Sequence, residues 1–334
     1  MRIGLIGLGR IGSFHAETLS RLDVVEELVV TDVVPSAAQR CARTLSATVA
    51  ATPEDLLASG VDGVVIASST ATHPALLVAA VEAGVPTFCE KPVAQDPRAG
   101  AVVLARLQGA GVPVQIGFPR RFDPAFVAVR DDVVAGRLGW VHTVRSTTLD
   151  PGPPPEAYLR ASGGIFHDCA VHDLDAVRWV TGRDIVEVYA AGGNRGEPFI
   201  REAGHADTAS SVLTLDDGTL AVVSNSRHNG RGYDVRLEVH GSLDAVAAGL
   251  DDTLPLRSAD PGTTFPAGTP ARFFMDRLAT AFRNELEAFT GVVSGELASP
   301  CTLADGLAAG WAAEACTVSW RERRPVRVEE VRDA

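Results

Sequence analysis

At 334 residues the chain is long enough for two domains of ordinary size, each with a sizeable core. The net charge of −12 argues against a nucleic-acid partner, because an acidic surface repels phosphate. No apolar run approaches the roughly 20 residues that span a bilayer, and the N-terminus lacks a basic lead and a cleavage site, so neither a membrane nor secretion is expected.

The five cysteines are odd in number and show no CxxC spacing, and they read as free thiols of a cytoplasmic protein. Along the chain, residues 3–6, 28–31, 64–67, 87–89 and 114–117 read as short buried strands. Stretches 13–22, 36–45, 73–83 and 96–107 between them have helical periodicity. Strand, helix, strand at this spacing implies parallel pairing with right-handed crossovers, a doubly wound α/β sheet.

The pattern changes near residue 120. A helix is predicted over 123–135, then longer strands over 140–148, 185–191, 209–215, 220–226 and 233–240, interrupted by one helix over 166–181. Asp216-Asp217-Gly218 is a hairpin signal. Two more helices are predicted over 272–293 and 303–321. The second half therefore reads as α+β with an open, mainly antiparallel sheet. The predicted division is a nucleotide-binding domain over 1–120 and a substrate and oligomerisation domain over 121–334.

Three clusters carry chemistry. GLGRIG, Gly7 to Gly12, lies between a strand and a helix, the context in which GxGxxG signifies a dinucleotide site. Gly7 permits the tight turn, Gly9 lets the backbone approach a pyrophosphate, and Gly12 lets helix pack on strand. The helix N-terminus supplies N–H donors and the positive dipole end. Asp32 follows at the spacing of the ribose-binding acid, and its charge favours NAD over NADP.

CEKPV, Cys89 to Val93, follows a strand in the doubly wound half, where such sheets bind ligands. The Lys91 ammonium can hydrogen-bond a substrate hydroxyl and offset developing charge, although a surface Glu–Lys pair fits the same letters. In GGIFHDCAVHDLDAVRW, Asp168 and His172 are four apart, on one face of a helix, the arrangement of a general base with an orienting carboxylate. A buried structural histidine and an acid at the first helical turn fit them too. No HExxH or closed His/Cys cage occurs, and no metal is expected.

Together these motifs resemble the Gfo/Idh/MocA oxidoreductases over nearly the whole chain. The resemblance implies an NAD(P)-dependent dehydrogenase of sugars or cyclitols, with a Rossmann domain, an open-sheet domain, and dimers or tetramers formed through that sheet. It places Lys91, Asp168 and His172 in the catalytic set. It puts Arg10 and Ile11 near the pyrophosphate, Ser68, Ser69, Thr70 and His73 along the cofactor, and Glu90 beside the nicotinamide.

Within the family the chain is most similar to inositol 2-dehydrogenases. That likeness puts Arg121, in GFPRRFDPAF, and Tyr233, in GRGYDVRLEVHG, at the substrate. Where those enzymes carry a His-x-Asn pair, this chain has Thr148 and Asp150. A small polyol is the implied substrate. A sugar or modified-sugar dehydrogenase, a non-catalytic NAD-binding regulator and a glycosidase using NAD transiently are the alternatives.

Overall fold

The computed structural model describes residues 1–333. The chain forms two compact units, Met1–Pro119 with Phe282–Leu307, and Arg120–Ala281 with Ala308 onward.

In the first unit, β1 (Arg2–Ile6), α1 (Arg10–Leu19), β2 (Glu27–Thr31), α2 (Pro35–Leu45), β3 (Thr48–Val49), α3 (Pro53–Ala58), β4 (Gly63–Ile66), α4 (His73–Glu82), β5 (Thr87–Glu90), α5 (Pro97–Leu107) and β6 (Val114–Gly117) follow one another. The strands are all parallel, in the order β3-β2-β1-β4-β5-β6. This is the doubly wound order of dinucleotide-binding sheets, which places the switch point between β1 and β4. The two-residue β3 escapes sequence reading, because Thr48 and Val49 are exposed and show no strand period.

In the second unit, α6 (Pro124–Val134) leads into β7 (Val141–Leu149) and α7 (Glu156–Ala161). The π turn Phe166–Ala170 then runs into α8 (Val171–Thr181). β8 (Ile185–Gly193), α9 (Pro198–Glu202), β9 (Thr208–Leu215), β10 (Leu220–Ser226), β11 (Asp234–Gly241) and β12 (Ala245–Ala248) follow. Next along the chain come α10 (Phe274–Arg277), α11 (Ala279–Ser294), most of which belongs to the first unit, α12 (Leu303–Glu322), β13 (Val326–Arg327) and α13 (Val328–Arg332). The sheet order is β12-β11-β7-β10-β9-β8-β13, antiparallel except for β7 against β10. The hairpin at Asp216-Asp217-Gly218 forms as expected between β9 and β10.

This sheet alternates cleanly. Ala209, Ser211, Leu213 and Leu215 of β9 and Ala221, Val223 and Asn225 of β10 are buried, while their neighbours Val212, Leu220 and Val222 are exposed. Such alternation is what a sheet with one packed and one open face requires.

The division of the chain differs from the expected one, which gave everything after residue 120 to the second domain. Phe282–Leu307 returns to the first unit. Leu286, Phe289 and Val292 of α11 join the core made by Ile3, Leu5, Val30, Val65 and Phe88. Burying such side chains contributes about 1.5–3 kcal/mol each. Their helical period announces a buried face but not which sheet it will cover. The helix expected over 272–293 is also broken, into α10 and α11.

Candidate active site

The glycine loop behaves as its three positions require. Gly7 has φ +96°, a conformation L side chains rarely adopt, and a Cβ there would come within 2.6 Å of the Ser68 backbone. A Cβ on Gly12 would meet the Gly7 carbonyl oxygen at 1.9 Å, so helix and turn touch at this point. A Cβ on Gly9 would find nothing within 4 Å. Gly9 is also the N-cap of α1 and offers no side chain to its first turn, leaving those N–H groups for an anion. Arg10 and Ile11 are the next two residues, Arg10 exposed and Ile11 partly so.

Asp32 stands at the end of β2. Its Oδ2 accepts from the Leu8 N–H at 2.6 Å and its Oδ1 from the Val34 N–H at 2.7 Å. The carboxylate is thereby fixed beside the glycine loop, and its further lone pairs suit ribose hydroxyls.

The loops after β4 and β5 are tied together by a buried histidine. His73 Nδ1 lies 2.8 Å from the Pro92 carbonyl oxygen, and Nε2 lies 3.2 Å from that of Ser68. Burial depresses the His73 pKa, outweighing the two carbonyls that favour its protonated form. The neutral ring donates to only one of them at a time. His73 therefore supports Ser68 and the EKP turn from beneath. Ser69 is exposed, Thr70 opens a 3₁₀ turn, and Ser68 Oγ lies 2.7 Å from Thr72 Oγ1. Lys91 is partly buried, and the Lys91–Pro92 peptide bond is cis. Glu90 Oε1 is 2.7 Å from Nε2 of His15, a fully buried ring packed edge-on against Phe88. His15 escapes sequence reading; its position three residues beyond GLGRIG, on the inner face of α1, is the available signal.

In the second unit the polar residues sit under and beyond one end of the sheet. The helix expected over 166–181 begins as a π turn, so α-helical i, i+4 spacing does not describe Asp168 and His172. Asp168 Oδ1 accepts from the Tyr158 hydroxyl at 2.8 Å, and Oδ2 accepts from Arg227 Nη2 at 2.6 Å. Arg227 Nη1 donates to Asp150 Oδ2 at 2.7 Å. Burial works against the guanidinium's charge, but Asp168 and Asp150 outweigh it and hold the pKa above the ordinary value. His172 is partly buried at the start of α8. The structure thus brings Asp150 and Asp168 onto one arginine that sequence reading passes over.

Three residues expected at the substrate have other partners. Arg121 grips Asp175 through Nε and Nη2, at 2.9 and 2.6 Å, and both side chains are buried. Thr148 donates to Asp173 at 2.9 Å, because residues 146 and 148 of β7 point to the packed face. Asp173 also accepts from Arg120 Nη1, Ser146 and Asn225, at 2.6, 2.6 and 2.8 Å. Tyr233 is buried against Phe274, and burial pushes its phenol pKa up. Cys89 and Cys169, which flank the motifs, are buried thiols with pKa values pushed well up by that burial.

Residues 1–118 match the model of an oxidoreductase family with an NAD-binding Rossmann fold, and residues 126–246 match the Gfo/Idh/MocA C-terminal domain. The chain belongs to the Gfo/Idh/MocA oxidoreductase family. Its cofactor is NAD. Among its relatives is a myo-inositol dehydrogenase of Streptomyces leeuwenhoekii, 43% identical over 90% of each chain. An inositol 2-dehydrogenase of Rhizobium meliloti is 36% identical, covering 98% of this chain and 99% of the relative. The fold matches the crystal structure of scyllo-inositol dehydrogenase from Lactobacillus casei with bound NAD(H) and scyllo-inositol at TM-score 0.88, with 28% identity and coverage of 98% and 99%.

Proposed function

We propose that this protein is an NAD-dependent dehydrogenase that oxidises a secondary ring hydroxyl of an inositol or a close cyclitol. The observation that carries the reading is the near-full-length similarity to inositol dehydrogenases, at 43% identity with one of them. A glycine turn whose open position is Gly9, with Asp32 anchored beside it, fits NAD in the first unit. Gly7, Gly9, Arg10, Ile11 and Gly12 would hold the pyrophosphate and Asp32 the ribose, with Ser68, Ser69 and Thr70 along the cofactor, Glu90 beside the nicotinamide, and His73 as support for their loops.

NAD supplies the chemistry of hydride acceptance when bound. His172 takes the hydroxyl proton as general base. Lys91 hydrogen-bonds the same oxygen and offsets its growing negative charge. Asp168, held by Arg227 and Tyr158, fixes the local polar geometry. The alcohol becomes a ketone, with one hydride and one proton removed. Asp150 and Tyr233 are the further candidates for substrate contact, while Arg121 and Thr148 act through Asp175 and Asp173.

The test is NADH formation by the purified protein with NAD and a panel of inositols, aldoses and amino sugars. Turnover of myo- or scyllo-inositol supports the reading. Lys91→Ala should then lower turnover by about two to four orders of magnitude with NAD binding retained. A modified-sugar dehydrogenase is the second reading, favoured by the Asp150 carboxylate being bound to Arg227. Turnover of aldoses alone would select it.

We also propose a cytoplasmic homo-oligomer, a dimer or tetramer. The exposed Tyr189, Val212, Leu220 and Val222 on the open sheet face and the five free thiols support this. Among the described residues no helix is long and apolar enough to cross a membrane. A monomeric mass in solution would contradict the oligomer.

A further inference from the structure

Two arginines of the second unit hold aspartates in different ways. Arg121 grips the Asp175 carboxylate side-on, through Nε and Nη2. Arg227 instead spends its two terminal nitrogens on two carboxylates from separate segments, Asp150 beyond β7 and Asp168 on the π turn, and its buried Nε has no hydrogen-bond partner. Sheet register explains half of this. Leu149 pairs with Ser226, so Asp150 and Arg227 leave the sheet side by side, and the Asp150 N–H donates to the Ser226 carbonyl at 2.8 Å. The Arg227 N–H donates to the Asp207 carbonyl at 2.7 Å, which fixes its backbone. Asp168 is the member drawn in from outside the sheet.

We propose that Arg227 is a positioning residue for the dehydrogenase reaction, seating Asp168 on the π turn that leads into His172 and tying it to the sheet through Asp150. This rests on the polyol-dehydrogenase reading above. One rigid fork spans both carboxylates, a task a compact ammonium cannot perform. The side chain is nearly sealed from solvent, so the bridge acts through the residues it holds.

The experiment measures kcat and KM for myo- and scyllo-inositol, NAD affinity and thermal stability in five proteins: the parent, Arg227→Lys, Arg227→Ala, Asp168→Asn and the Arg227→Lys/Asp168→Asn double variant. Arg227→Lys keeps the charge, so it is the variant most suited to fold. Its kcat is expected to fall by about a hundredfold, the cost of misplacing a reacting group by ~1 Å, with NAD affinity unchanged. Asp168→Asn and the double variant should share one kcat, because Arg227 acts through Asp168. Added guanidinium should restore part of the activity of Arg227→Ala.

A structural role alone would lower the melting temperature and leave the folded enzyme's kcat near the parent's. Arg227→Lys turning over like an active parent, or effects of the two substitutions that simply multiply, would overturn the proposal while leaving the polyol reading intact. A parent silent on both inositols while oxidising other sugars, or nothing, would overturn the inositol reading and the proposal resting on it.

Discussion

Asp173→Asn tests the buried centre of the second unit. Asp173 and Arg120 are almost wholly sealed from solvent, at 0% and 2% side-chain exposure, and are joined at 2.6 Å. The carboxylate also takes hydrogen bonds from Ser146, Thr148 and Asn225. The amide that replaces it is nearly isosteric and leaves no cavity. It does, however, leave the Arg120 cation buried without a counter-charge, which costs about 3–5 kcal/mol. At about 2–4 °C per kcal/mol for a unit of this size, the melting temperature should fall by roughly 6–20 °C. Circular dichroism melts of parent and variant read this directly. Arg120→Met combined with Asp173→Asn should lose less than the sum of the single losses, since the stranded charge is then gone. A single-variant shift under about 2 °C would refute the assignment of Asp173 as the counter-ion on which this core depends.

Gly9→Ala should leave stability near the parent's, because its Cβ meets no atom, and should weaken NAD binding in a titration; unchanged affinity would remove Gly9 from the phosphate site. Gly12→Ala should lower both stability and affinity, because the Gly7 carbonyl must move. His73, with its pKa depressed by burial, is neutral in both folded and unfolded chains above its ordinary value of 6.5. Below that pH the unfolded chain binds the proton first, so first-unit stability should fall with acidification. His73→Gln should flatten that slope, and an unchanged slope would assign it to another group. Asp32→Ser should raise activity with NADP relative to NAD, while a strict NAD preference in the variant would place discrimination elsewhere.

Strand and helix periodicity made both folds legible, and GLGRIG with Asp32 announced the tight turn after β1 and the carboxylate anchored beside it, because such a turn admits few residues. What stayed hidden was pairing across distance. Nothing in the sequence says that Arg120 and Arg121 will find Asp173 and Asp175, or that Arg227 will span Asp150 and Asp168. Those partners lie 53, 54, 77 and 59 residues apart and meet only in the folded unit, Asp150 and Arg227 through sheet register and the others through the packing of turns and helix α8. The i, i+4 reading of Asp168 and His172 presumes an α-helix where the backbone makes a π turn. The return of residues 282–307 to the first unit was equally invisible, since an apolar helical face does not name the sheet it will cover.

The most direct measurement is isotopic. The protein would be incubated with NAD and myo-inositol deuterated at the carbon to be oxidised, and the nucleotide analysed by mass spectrometry. Direct hydride transfer predicts one deuterium in the reduced nucleotide and a ketone product that lacks it. A reduced nucleotide without deuterium, or deuterium kept in the product with no net NADH, would contradict a dehydrogenase acting on this ring hydroxyl.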